Sequence, residues 1–239
     1  MYSHSVSFVM AGYNEAENVL PAVEEAWQVL HSNFTDFEII LVNDGSKDST
    51  LEKMEQCVIK YPNVRLLDNL VNLNFGTSVL RGIKAAQKDY VVYNAFDLPL
   101  RPLDFVEKFG EMVKKDSDVL VLQRVSYPCT LWRKIASNVN VIMLRILFPV
   151  LTRKTPILNF TQIYRRSVLD DIMPLARSPI FVWPELVFRA KHKGLKVDNV
   201  MAVPYVKKLR KGAFGHPHDI IWGMYDMLRF RIRLWSKNI

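Results

Sequence analysis

Two segments of the chain carry side chains that could act together. One reads Ala11-Gly12-Tyr13-Asn14-Glu15-Ala16-Glu17-Asn18, the other Val42-Asn43-Asp44-Gly45-Ser46-Lys47-Asp48-Ser49-Thr50. Tyr13 offers an aromatic face on which a base can stack, and Asp44 offers a carboxylate that can accept the N–H of a uracil or a guanine. Each segment alone reads as an ordinary turn; the pair points to nucleoside binding only if the fold brings them to one edge. A Gly-x-Gly-x-x-Gly pyrophosphate loop is absent, which argues against a dinucleotide oxidoreductase. Cys57 and Cys129 have no paired spacing, so neither a disulfide framework nor a cysteine zinc site is expected. His4, His31, His192, His216 and His218 show no metal-ligand pattern.

The elements needed to position these residues are legible as alternating patterns. Short β-rich apolar runs at 5–10, 37–42, 64–67, 90–94 and 119–122 alternate with helical patterns at 16–30, 51–60, 76–87 and 102–115. Such alternation implies an α/β fold with a mostly parallel sheet and helices on both faces. Ligands in such sheets sit beyond the carboxyl ends of the strands, so loops 11–17, 43–48 and 94–101 are the ones that matter. After residue 122 the pattern loosens. A helix is expected over 133–148, a strand over 159–164, a helix over 183–192, strand structure from 195 to 205, and an amphipathic helix over 219–235.

Charge divides the chain. Residues 1–120 hold 11 Lys+Arg against 18 Asp+Glu, and residues 121–239 hold 21 against 6. A basic half implies an anionic partner. A nucleic-acid partner is disfavoured, because aromatics are not interleaved with the basic run Lys207-Lys208-Leu209-Arg210-Lys211 and the first half is acidic. In the last helix Ile221, Met224, Tyr225, Leu228, Ile232 and Trp235 recur at helical spacing, with Asp226, Arg229 and Arg233 on the other side. That pattern suits packing on the domain or lying in a membrane interface, and the apolar stretch 139–148 suits the same two roles. No segment is apolar enough to span, and the first residues lack a leader pattern, so the expected location is cytoplasmic.

The motifs also resemble a family. Tyr-Asn-Glu-x-x-Asn from Tyr13 and Asp-Gly-Ser-x-Asp-x-Thr from Asp44 are similar to inverting family 2 glycosyltransferases of the GT-A fold, in the dolichyl- and polyprenyl-phosphate branch. The likeness continues through Asn74-x-Gly76, Gly82-Ile83-x-x-Ala86, Asp97-Leu98, Gln123-Arg124, Arg133-x-x-x-Ser137-x-x-Asn140, Asn159-Phe160 and Glu185 to the basic loop at 207–215. It implies a GT-A domain over 1–215, with 216–239 as a terminal amphipathic helix. It implies that Tyr13, Glu15 and Asp44 hold the nucleoside, and that Asp97 binds Mg²⁺ or Mn²⁺ on the diphosphate. Asp97 and Arg124 would be the catalytic pair, with Arg133, Lys207, Lys208 and Arg210 near donor and acceptor phosphates. Two departures stand out: the Asp-x-Asp motif reads Ala95-Phe96-Asp97, and Pro99 stands where relatives often carry Gln.

The reaction implied is transfer of a sugar from a nucleotide-sugar donor to a polyprenyl phosphate, with inversion, by an enzyme peripheral on the cytoplasmic face of an anionic membrane. The alternatives are the same fold with a glycan or small-molecule acceptor, or a catalytically silent nucleotide-sugar-binding subunit. A phosphate monoester is largely dianionic at neutral pH and can attack unaided. A hydroxyl acceptor would need a general base, for which Glu185 is the one candidate and a structural role is the favoured reading.

Overall fold

Strands apolar on both alternating faces belong inside a layered α/β structure, and the central strands are of this kind. The computed structural model of the chain describes residues 1–98, 100–123, 131–149, 152, 161–176, 178, 180–201 and 217–236. In chain order the elements are β1 (Val6–Gly12), α1 (Ala16–Asn33), β2 (Phe37–Asn43), α2 (Thr50–Lys60), β3 (Val64–Asp68), α3 (Phe75–Ala85), β4 (Tyr90–Ala95), α4 (Pro102–Lys115), β5 (Val119–Gln123), α5 (Leu131–Leu147), β6 (Thr161–Arg165), α6 (Arg166–Ile172), α7 (Val182–His192), β7 (Val197–Met201) and α8 (Pro217–Trp235). The seven strands lie in the order β3-β2-β1-β4-β6-β5-β7. β6 runs antiparallel to both of its neighbours, and the other pairs are parallel.

Two cores sandwich the sheet. Phe8 and Met10 of β1 face α1, α2 and α4, where Val23, Met54, Phe105 and Phe109 are buried. Val9 and Ala11 face the other side, where α3, α5, α6, α7 and α8 supply Val79, Leu144, Leu169, Phe188 and Phe230. The expected elements are present within a few residues at their ends. One is additional: α6, two turns that bury Leu169 and Ile172, is too short to show a helical period in sequence. Of the strand expected over 159–164, the first two residues lie outside the described set, as does the expected strand structure beyond Met201.

At the amino ends of β1 and β2 the sheet is pinned by a buried acid. Glu38 Oε1 accepts hydrogen bonds from Ser7 Oγ at 2.6 Å and from the Gln87 amide at 2.8 Å, and Oε2 accepts one from Arg65 Nε at 2.6 Å. Burial alone would raise the Glu38 carboxyl; the bonds from Arg65, Ser7 and Gln87 outweigh it and hold the group below its ordinary value. A folded-state value lower than the unfolded one contributes stability that is complete above the ordinary glutamate value, about 4.3, and is lost as pH falls through the folded value. Glu38→Gln is therefore expected to cost about 1–3 kcal/mol at pH 7 and to lessen the loss of stability below about pH 4, as read by urea unfolding across pH.

Candidate functional site

The parallel register puts three strand ends side by side. Gly12 is level with Asn43 across β1 and β2, and Ala11 is level with Ala95 across β1 and β4. Strands lie about 4.8 Å apart, so the residues following β2, β1 and β4 share one edge roughly 10 Å wide. Tyr13, Asp44 and Asp97 all stand on that edge. The Asp44 amide donates to the Gly12 carbonyl at 3.0 Å, fastening the first two ends together.

The first two loops are then stitched by side chains. Asn14, in left-handed backbone at φ 54°, donates its amide to Ser46 Oγ at 3.0 Å, and its Oδ1 accepts from the Lys47 amide at 2.9 Å. The Glu15 amide donates to Thr50 Oγ1 at 2.7 Å, and Glu15 Oε2 accepts from Asn18 Nδ2 at 2.6 Å. Asp48 Oδ1 takes the Thr50 hydroxyl and amide, and Oδ2 takes the Ala16 amide. Its slight burial would raise the Asp48 carboxyl, but these bonds hold it below the ordinary range. Asn14, Asp48 and Thr50 thus serve the shape of the loops. Tyr13, exposed at 39%, stands at the rim.

Asp44 is held differently. It is 3% exposed, and its Oδ1 receives three donors: the Leu73 amide at 2.9 Å, Ser78 Oγ at 2.6 Å and Asn69 Nδ2 at 3.5 Å. All three come from the segment running from the end of β3 into α3. Two glycines permit the approach. Gly45 has φ +69°, and a Cβ there would lie 2.4 Å from the Val71 carbonyl carbon. Gly82 lets α3 settle on the sheet, since a Cβ would come within 2.4 Å of Val9 Cγ1 and 2.9 Å of Val42 Cγ2. Asn74 caps the helix by accepting the Thr77 amide.

Asp97 sits half-buried in the turn after β4, where the Leu98 amide closes onto the Ala95 carbonyl at 3.0 Å. Buried Asn94 clamps this loop, donating Nδ2 to the Leu100 carbonyl at 2.6 Å and accepting the Leu100 amide at 3.4 Å. Beneath it Tyr93 is buried, stacked on Trp183 at 5.1 Å, with a hydroxyl that has no hydrogen-bond partner among the described residues. Burial, then the negative charges of Asp97 and Glu15, push that hydroxyl well above the ordinary tyrosine value. Ala95 packs against the core and brings no side-chain oxygen. Among the described residues, no three His, Cys, Asp or Glu side chains gather into a metal-holding group. A hard divalent ion held here would have Asp97 as one ligand and would draw its remaining oxygens from phosphates and water, as Mg²⁺ commonly does.

Several expected residues are not brought into view. Arg124, Lys207, Lys208 and Arg210 lie outside the described residues, as does the side chain of Arg133, whose backbone belongs to α5. Glu185 is placed, and as a structural group. It is 1% exposed, accepts the Leu175 and Ala176 amides at 3.0 and 2.8 Å, and pairs with buried Arg189 at 2.7 Å. Asn69, Ser78 and Asn94 are the residues that sequence reasoning passed over. Their partners lie 6 to 34 positions away, and no local pattern marks them.

A cavity of about 450 Å³ opens at the opposite end of β4, lined by His4, Lys88, Asp89, Arg165 and Arg166 among others. Its cations are already paired: Lys88 with Asp36, Arg165 with Asp116 and Arg166 with Asp170. The loops at the carboxyl ends, with exposed Tyr13 and half-buried Asp97, are the better candidate.

Comparison with known proteins identifies the family and the fold. The model of the family described as Glycosyl transferase family 2 matches residues 7–173. A dolichol-phosphate mannosyltransferase of Pyrococcus furiosus is 29% identical, over 98% of this chain and 65% of that protein. A dolichyl-phosphate beta-glucosyltransferase of Trichomonas vaginalis is 28% identical over 49% of this chain and 35% of that protein. An undecaprenyl-phosphate 4-deoxy-4-formamido-L-arabinose transferase of Pectobacterium atrosepticum is 29% identical over 59% and 43%. The chain therefore spans less than two thirds of the length of these relatives. Among solved structures, glucosyl-3-phosphoglycerate synthase of Mycobacterium tuberculosis, in complex with Mn²⁺, uridine diphosphate and phosphoglyceric acid, aligns with a TM-score of 0.67. That alignment covers 96% of this chain and 78% of the other at 18% identity, a likeness of fold, and the fold is the GT-A one that the motifs implied.

The close approach of α3 gives a test of this construction. Gly82→Val drives a branched side chain into Val9 and Val42, both stiff and fully buried. It is expected to cost about 1–3 kcal/mol and to lower the thermal midpoint by several degrees, measured by calorimetry.

Proposed function

The chain belongs to glycosyl transferase family 2, and on that premise we propose that it moves a sugar from a nucleotide-sugar donor to a polyprenyl phosphate, with inversion, at the cytoplasmic face of a membrane. The observation that carries the reading is the gathering of Tyr13, Asp44 and Asp97 on one edge of three adjacent parallel strands. Tyr13 stacks on the base, Asp44 accepts its N–H, and Glu15 shapes the first loop beside them. Asp97 faces the diphosphate. The polyprenyl-phosphate transferases among the relatives support the acceptor.

The chemistry asks little of a base. An oxygen of the acceptor phosphate forms the new bond to the anomeric carbon as the bond to the donor diphosphate breaks, and the nucleoside diphosphate departs with its electron pair. No proton need be removed, which agrees with Glu185 being committed to structure. The obstacle is repulsion between two anions, and positive charge lowers it. A bound Mg²⁺ or Mn²⁺, held by Asp97, would neutralise charge on the departing diphosphate. Arg124, Arg133, Lys207, Lys208 and Arg210 are proposed to do the same for both phosphates.

Membrane attachment is proposed for the two helices that show apolar stripes outward. No helix among the described residues is long and apolar enough to cross a membrane. In α8, Met227 and Phe230 are buried in the core, while Ile221, Tyr225, Leu228, Ile232 and Trp235 are exposed at helical spacing. In α5, which packs against α8, Leu131, Ile135, Val139, Ile142 and Ile146 are exposed likewise. Asp226 of α8 turns inward and accepts the Ser178 amide at 3.0 Å. The acid is thus removed from the outward surface, and exposed Arg229 and Arg231 remain beside the stripe. Apolar side chains next to cations suit an anionic interface.

Two measurements check these statements. With labelled donors, Mn²⁺ and polyprenyl phosphate, label is expected to move into the lipid phase, and Asp97→Asn is expected to slow this roughly 100-fold. Unchanged turnover in that variant contradicts the assignment of Asp97, and transfer only to a soluble phosphorylated acceptor contradicts the lipid acceptor. In co-sedimentation, anionic vesicles are expected to retain the wild type at low salt. Ile232→Glu with Trp235→Glu is expected to release it without lowering the thermal midpoint, because both side chains are exposed. Equal retention of the variant rejects α8 as the contact.

A further inference from the structure

The bonds around Asp44 constrain which base the site can read. A carboxylate oxygen has two lone-pair directions. On Oδ1 both are taken by the Leu73 amide and Ser78 Oγ, with Asn69 Nδ2 at the edge of bonding range. Asn69 is itself fixed, since its amide also donates to Ser78 Oγ at 2.7 Å and its Oδ1 accepts from Arg81. Oδ2 makes no hydrogen bond among the described residues, and it is not one of the atoms sealed away without a partner. The residue is 3% exposed, and the donors on Oδ1 hold the carboxylate so that it does not swing to present the other oxygen.

Resting on the nucleotide-binding reading above, we infer that the donor is a uridine or thymidine diphosphate sugar, selected by a carboxylate with one oxygen to offer. Uracil and thymine present a single imino N–H flanked by two carbonyls. That N–H meets Oδ2, and the carbonyl falling beside Oδ1 meets an oxygen whose charge is already shared among donors. Guanine presents two adjacent donors, N1–H and N2–H₂, which call for both oxygens of one carboxylate. Here the second is occupied, so one guanine donor loses its partner. Cytosine turns an unprotonated N3 toward Oδ2, acceptor against acceptor.

The same geometry makes a reversed reading testable. In Asp44→Asn the three donors that converge on Oδ1 draw the amide oxygen to that place. The NH₂ group is left where Oδ2 stood. It opposes the uracil N–H and suits cytosine N3. The experiment is titration calorimetry of the full chain in Mg²⁺ buffer with UDP, dTDP, GDP and CDP, for the wild type and for Asp44→Asn. For the wild type, UDP and dTDP are expected to bind about tenfold or more tighter than GDP and CDP. For the variant, CDP is expected to overtake UDP. Wild-type affinity for GDP equal to or above that for UDP overturns the base assignment while leaving the site a nucleotide site. Absence of binding by all four overturns the nucleotide reading beneath it. A folded variant that still prefers UDP overturns the role given to Oδ2. If the variant does not fold, the order of the four wild-type affinities decides by itself.

Discussion

The candidate site depends on one carboxylate held from behind. Asp44 follows β2, and its Oδ1 collects donors from the end of β3, from the loop before α3 and from the first turn of that helix. Its backbone amide is tied to β1. Four pieces of chain meet at this residue, and three devices permit the approach: Gly45 in left-handed backbone, Gly82 against two valines, Asn74 as helix cap. A buried acid without such partners would be costly, and with them it is held rigidly. The loop shapes around Tyr13 and Glu15 follow, because they are bonded in turn to the segment that Asp44 begins.

The division of charge along the chain takes on meaning against this geometry. The acidic first half builds the edge on which Tyr13, Asp44 and Asp97 stand, where the nucleotide is proposed to bind. The basic second half supplies α5 and α8, with their outward apolar stripes, and the cationic run at 207–211. In the proposed reaction a donor diphosphate and an acceptor phosphate would both call for cations, and Ala95 gives Asp97 no neighbouring side-chain carboxylate. In that proposal, cations from the second half would supply the compensation.

Much of this was legible in sequence. Alternating patterns gave the parallel β1, β2, β3 and β4 and placed Tyr13, Asp44 and Asp97 on one edge, because strand ends are read directly from where apolar runs stop. The family motifs placed the same residues independently. What was not legible were contacts between residues distant in sequence. Nothing around Ser78 or Asn69 announces that they hold Asp44, and nothing around Asn94 announces that it clamps the loop of Asp97. The reversal of β6 is a matter of how the chain returns, which periodicity does not encode. In α8 the pattern identified an amphipathic helix, but which side faces the core depended on Ser178, whose amide draws Asp226 inward. The apolar stripe therefore faces outward, against the usual expectation for a helix packed on a domain.

The central claim is that a nucleotide binds at the carboxyl ends of β1, β2 and β4. Hydrogen–deuterium exchange of the full chain with and without a saturating nucleoside diphosphate addresses it directly. Protection is expected in residues 12–18, 43–50, 69–78 and 94–98, which surround Tyr13, Asp44 and Asp97. Protection confined to the opposite end of the sheet, around His4, Lys88 and Arg166, would contradict it.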